Sequence, residues 1–178
     1  RDHWSRAQSA TGLLRVFNDA GVLDAADVHV ARRLGALAGE ADETVHLAVA
    51  LTVRAVRQGA VCLDLATIAD APLEIDEELP WPEATSWVQA VAGSVLVRDA
   101  MLVLEGSTLY LDRYHREEEQ VCADLLAHVG PAADVDEAVL AGATDRLFPQ
   151  GWEEQREAAL MAARQLTTVI TGGPGTGK

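Results

Sequence analysis

The last seven residues, Gly172-Gly-Pro-Gly-Thr-Gly-Lys178, carry the pattern best able to do chemistry. They fit G-x-x-x-x-G-K, the phosphate-binding loop. Wrapping a β-phosphate with successive backbone N–H groups needs positive φ and no Cβ in the way, which the glycines supply. Such a loop has to open a helix, so that the helix N-terminus faces the anion. The Lys178 ammonium then reaches the β- and γ-phosphates of ATP. Lys178 is thus the candidate catalytic residue. Gly172, Gly173, Pro174, Gly175, Thr176, Gly177 and Lys178 form the candidate nucleotide-binding set. The Ser or Thr that ligates Mg2+ in this motif would be residue 179, so the metal ligands are expected beyond this chain.

A second candidate stands upstream. Gln155 precedes Gly172 by seventeen residues, on a helix leading toward the loop. Its amide offers both a donor and an acceptor, which suits the edge of adenine. Other reactive types show no such pattern. Cys62 and Cys122 form no C-x-x-C pair and lie among apolar residues, so both are expected as reduced core thiols. The five histidines (3, 29, 46, 115 and 128) lack metal-ligand spacing and read as surface or satisfied core residues. The run Glu117-Glu118-Glu119 reads as a solvated face rather than as paired catalytic carboxylates.

The elements that must position the loop are mostly helical. The short β-branched run Thr167-Thr-Val-Ile170 is expected to be a buried parallel strand entering the loop, with a helix over Trp152–Gln165 before it. Further upstream, apolar spacing predicts helices over Ser5–Phe17, from the cap Asp24 to Gly39, over Asp42–Gln58, and over Pro82–Ala92. The third is apolar on nearly every face from Val45 to Val56, as the central helix of a bundle would be. The segment Gly59–Leu65 is expected to be a short helix or turn. Residues 70–82, with three prolines and an acidic run, are expected to be a solvated loop, and Trp81 a surface residue. Met101–Glu105 and Ser107–Leu111 read as a β-hairpin. Asp112 is expected to cap a helix with the apolar stripe Tyr114, Val121, Cys122, Leu125 and Val129. Asp134-x-x-Glu137 is expected to be the capping box of a helix reaching Leu147. The fold class is therefore mainly α with a small β-hairpin, followed by the first helix and strand of an α/β P-loop motor. The domains are expected at 1–148 and 149–178.

Composition sets outer limits. Of 178 residues, 49% are hydrophobic and 24% charged, a globular balance with no apolar stretch long enough to span a membrane. The formal net charge is −14 and Lys178 is the only lysine, so this stretch repels phosphate backbones and is a poor nucleic-acid binder by itself. The acidity is also suited to docking on a basic partner. The chain opens on Arg1 without a secretory signal and stops inside its own motif, so both ends are expected to be cuts in a longer protein.

Several stretches, taken in order, resemble the RecD family, the alpha subunits of bacterial exodeoxyribonuclease V. They are His46-Leu-Ala-Val-Ala-Leu51, Gly59-Ala-Val-Cys-Leu-Asp-Leu65, Leu109-Tyr-Leu-Asp-Arg-Tyr114, Gln155-Arg-Glu-Ala-Ala159 and Thr168-Val-Ile-Thr-Gly-Gly-Pro-Gly-Thr-Gly-Lys178. The resemblance implies an ATP- and Mg2+-dependent 5′-to-3′ DNA helicase of superfamily one. Helicases of that class place a glutamine like Gln155 before their first strand. It also implies a cytoplasmic heterotrimer with the beta and gamma subunits, acting in double-strand-break repair and recombination. The N-terminal domain would dock on the gamma subunit. The DNA contacts would lie in motor domains beyond Lys178, and this segment alone would not hydrolyse ATP. Two rival readings stay open on sequence grounds: a stand-alone superfamily-one helicase, and a non-enzymatic interaction module whose glycines are only a loop.

Overall fold

Local capping chemistry starts most of the helices. Asp24 and Asp27 form a reciprocal capping box, with the Asp24 backbone N–H donating to Asp27 Oδ2 at 2.8 Å. Asp42 Oδ1 accepts from Thr44 N at 2.8 Å. Glu83 accepts from Thr85 N and Ser86 N at 2.9 and 2.8 Å, and these donors push its carboxyl down to about 2. Gly39, at φ 73°, ends the helix begun at Asp24 in the left-handed conformation that favours glycine.

The computed structural model describes residues 6–71, 78–131 and 134–175. The elements run α1 (Gly12–Asp19), α2 (Ala25–Ala38), α3 (Glu43–Arg57), β1 (Leu63–Asp64), a 3₁₀ turn (Ile68–Asp70), α4 (Ala84–Gly93), α5 (Val95–Arg98), β2 (Leu102–Glu105), β3 (Thr108–Leu111), α6 (Asp112–Ala127), α7 (Glu137–Leu147) and α8 (Glu153–Arg164). The chain divides into two compact units, Arg1–Glu118 and Glu119–Lys178.

The first unit is built around α3. Val45 and all of Leu47–Thr52 are buried, because α1, α2, α4, β1 and β3 pack around this helix. That is the central-helix role its all-round apolar sequence predicts. Trp87 of α4 lies against it, with Nε1 donating to Thr44 O at 2.8 Å, so the indole meets its one polar need inside the core. Asn18 is also buried and satisfied, accepting from Ala7 N at 2.9 Å and donating to Leu23 O at 2.7 Å. The antiparallel sheet has the order β1-β3-β2. The predicted hairpin pairs Leu102 with Leu111 and Glu105 with Thr108, turning at Gly106 with φ 61°. Against this hairpin the first turns of α6 are fixed by His115. Its ring meets Tyr110 edge-on at 5.1 Å, and its Nε2 lies 3.0 Å from Glu105 Oε1.

Several expectations are corrected here. The first helix starts at Gly12 rather than Ser5, because Ala7 and Ala10 form a buried turn strapped down by Asn18. The segment Gly59–Leu65 is not a helix. Leu63 and Leu65 point inward on either side of Asp64, and Leu63–Asp64 pairs with Leu109 and Thr108. Trp81 is half-buried rather than a surface contact, standing edge-on to Phe17 with ring centroids 4.7 Å apart. The acidic run Asp76–Glu78 lies mostly outside the described residues.

In the second unit, α7 and α8 run antiparallel. Arg164 Nε and Nη2 meet the two Glu137 carboxylate oxygens at 3.0 and 2.6 Å, and Arg156 pairs with Asp145 at the opposite end. This pairing holds the Glu137 carboxyl below its ordinary range. The cap of α7 is Asp136 rather than Asp134. Asp136 has extended backbone and its Oδ1 accepts from Ala138 N and Val139 N at 3.0 and 3.1 Å, while Glu137 is occupied by Arg164. The apolar stripe read on α6 is uncovered over its second half: Val121, Cys122 and Leu125 are exposed, as is Val129 just past the helix. Cys122 is therefore not a core thiol. Cys62 is half-buried, and both are free. Among the described residues no helix is long and apolar enough to cross a membrane.

Candidate functional site

The approach to the glycine run begins at α8. The turn Pro149–Gly151 places Gly151 at φ 95°, and its N–H donates to Glu153 Oε1 at 2.9 Å. That bond keeps the Glu153 carboxyl below its usual range and fixes the helix start. Gln155 follows on the first turn of α8 and is half-buried. Met161 is exposed on the same helix.

After α8 the chain is tied back by a single antiparallel bridge between Gln165 and Pro131, with Leu166 N donating to Gly130 O at 3.0 Å. A cleft of about 380 Å3 opens beside this bridge, lined by Val129, Gly130, Pro131, Arg164, Gln165 and Thr167. The expected strand at Thr167–Ile170 forms no ladder. A parallel strand draws its hydrogen bonds from flanking strands, and among the described residues of this unit no strand lies beside it. The consequence shows in exposure: Val169 is 79% and Ile170 50% accessible, and the buried Thr168 hydroxyl has no hydrogen-bond partner among the described residues.

Gly172, Gly173, Pro174 and Gly175 are all exposed, with Pro174 and Gly175 forming a turn. Gly175 adopts φ 82°, a conformation that L side chains rarely take, and nothing lies within 4 Å of where its Cβ would be. Its glycine identity thus answers a conformational demand rather than a clash. The exposed backbone and the left-handed turn are compatible with approach of an anion to successive N–H groups. These residues fit a nucleotide's phosphates in chemistry. Thr176, Gly177 and Lys178 lie outside the described residues. Among the described residues no group of three or more His, Cys, Asp or Glu side chains is arranged to hold a metal ion. His46 and His128 each contact a backbone carbonyl, Glu40 O at 3.1 Å and Asp124 O at 2.7 Å.

The geometry defines a class: a helix-rich domain wound around one buried helix and closed by a three-stranded antiparallel sheet. Its sequence matches the family model of the RecBCD enzyme subunit RecD, N-terminal domain, over residues 19–110. That span is just over half of the chain, and the chain belongs to this family. It is 53% identical over 176 residues to the RecBCD enzyme subunit RecD of two Mycobacterium tuberculosis strains, CDC 1551 / Oshkosh and H37Rv. It is 50% identical over 169 residues to the protein of the same name from Mycolicibacterium smegmatis. These alignments cover 97%, 97% and 93% of this chain, and the chain spans 29% of the length of each relative.

Proposed function

We propose that this chain is the N-terminal part of an ATP-dependent 5′-to-3′ DNA helicase, the RecD-type subunit of a cytoplasmic exodeoxyribonuclease V. In this reading residues 1–148 are a docking domain and residues 149–178 begin the motor. The observation that carries it is family membership over residues 19–110 in a chain that continues into Gly172–Lys178. The exposed glycines and the left-handed Gly175 support the assignment of that run as a phosphate cradle.

The chain's own residues have distinct tasks. The N–H groups from Gly172 onward bind the β-phosphate, and the Lys178 ammonium offsets charge developing on the γ-phosphate. The Gln155 amide orients adenine by pairing with its edge. Bound ATP with Mg2+ supplies the phosphoryl-transfer energy that drives unwinding. The run Thr167–Ile170 gains its ladder once neighbouring strands of a motor sheet are present. Partners are the beta and gamma subunits, and DNA is held by other parts of the assembly, since a surface of charge −14 repels it.

The test is Lys178→Gln in the full-length protein. The variant is expected to assemble with the beta and gamma subunits as the unmodified protein does. ATP-driven unwinding should fall by about a hundred- to a thousandfold, the scale set by electrostatic stabilisation of the transition state. Unwinding at the normal rate by the variant, or no affinity of the unmodified protein for Mg-ATP, would overturn the reading.

A further inference from the structure

Trp152 differs from the other described tryptophans. Trp87 is buried with its Nε1 donating to Thr44 O, and Trp81 stands edge-on to Phe17. Trp152 is 49% exposed, and among the described residues its indole makes no hydrogen bond and no ring contact. Its backbone is nevertheless held on both sides. The Trp152 N–H donates to Pro149 O at 3.2 Å, and its carbonyl accepts from Arg156 N at 2.9 Å. A bare indole therefore stands on a fixed N-cap at the start of α8. Indoles ordinarily bury their rings and pair their N–H. Gln155 follows one turn later, and positions three apart are neighbours on a helix surface. The charged neighbours are already engaged: Glu153 accepts from Gly151 N, and Arg156 pairs with Asp145.

We infer that Trp152 is a stacking platform for the adenine ring of the bound nucleotide, adding a face contact to the edge contact made by Gln155. The inference rests on the reading of Gly172–Lys178 as the phosphate cradle and of Gln155 as the adenine reader. A side-chain amide hydrogen-bonds in the plane of the base and leaves both faces of the ring bare. A base held only at its edge can tilt. A flat indole one turn away supplies the missing face, as aromatic side chains do for nucleobases. Charge favours the same occupant. The first turn of α8 carries Glu153 and Glu154, which repel a phosphate and leave a neutral base unaffected. An apolar segment of protein lying over this position would be served as well by leucine, whereas a nucleobase needs an aromatic face.

That difference supplies the test. Full-length protein is titrated with Mg-ATP and with Mg-tripolyphosphate, which carries the phosphates without the base. Trp152→Leu is expected to weaken Mg-ATP binding about five- to a hundredfold, the loss of one base–aromatic stack, and to leave Mg-tripolyphosphate binding unchanged. Trp152→Phe, which keeps an aromatic face, should recover most of the lost affinity for Mg-ATP. Equal weakening of both ligands by Trp152→Leu overturns the stacking role, because the indole then supports the loop rather than the base. Unaltered Mg-ATP affinity in Trp152→Leu overturns it as well. Either of these results leaves the phosphate cradle standing. Failure of the unmodified protein to bind either ligand overturns the nucleotide reading and the stacking role with it.

Discussion

Asp27 shows how a residue can be legible in one role and hidden in another. Spacing from Asp24 marks it as a capping partner, yet its side chain is fully buried and is gripped by Arg57, thirty residues on, at 3.2 and 3.0 Å. Arg57 also reaches Asp24 at 2.8 Å. No local pattern announces a pairing between two helices. Glu83 is a simpler case, testable through pH. Its carboxyl sits at about 2 because Ser86 and Thr85 donors favour the charged form, against an ordinary value of 4.5. A depressed carboxyl stabilises the fold above its unfolded value and loses that contribution as pH falls through its folded value. Glu83→Gln should therefore lower the thermal midpoint by a few degrees at neutral pH. The gap should close between about pH 4.5 and pH 2, as followed by circular dichroism at each pH. A gap that persists unchanged at pH 2 would remove the capping carboxylate as its cause.

At the scale of elements, α3 and α6 make an instructive pair. Both read as helices with apolar positions, and both form, but only α3 is enclosed. Leu51 is fully buried among its neighbours, so Leu51→Ala leaves a cavity and should destabilise the first unit by about 2–5 kcal/mol in urea titration. Leu125, half exposed on α6, should tolerate Gln in the isolated chain within about 0.5 kcal/mol. A loss at Leu125 as large as that at Leu51 would show that the stripe is covered within this chain. Helix periodicity reports which side of an element is apolar, and it cannot report what covers that side. For the same reason the strands were only partly legible. The hairpin carries its own turn at Gly106, whereas β1 is two residues whose partner lies more than forty positions away. Gly35 was equally silent in the sequence. A Cβ there would stand 2.2 Å from the His46 ring of the neighbouring helix, which explains a glycine in the middle of α2.

For the whole molecule, the distribution of burial decides what the isolated chain can hold together. Among the described residues the buried hydrophobic ones all fall between Ala7 and Tyr110, and of those in 119–178 only Thr144 is buried. The second unit is joined by exposed ion pairs, Glu137–Arg164 and Asp145–Arg156, which contribute little and are screened by salt. The glycine run sits in that weakly held unit. The phosphate-loop pattern was legible because seven residues in order spell it, four of them glycine. The strand expected at Thr167–Ile170 does not form here, because a β-branched run becomes a strand only beside others. Hydrogen exchange on residues 1–178 should therefore divide the chain. Amides of α3 should be protected to the level of global unfolding, and those of α7 and α8 should exchange at least a hundredfold faster. Raising NaCl from about 0.1 to 1 M, where the screening length falls from about 10 to 3 Å, should accelerate α7 and α8 further and leave α3 unchanged. Equal protection in α3 and α8 would mean that the second unit possesses a core of its own, and the case for an uncovered α6 face would fall with it.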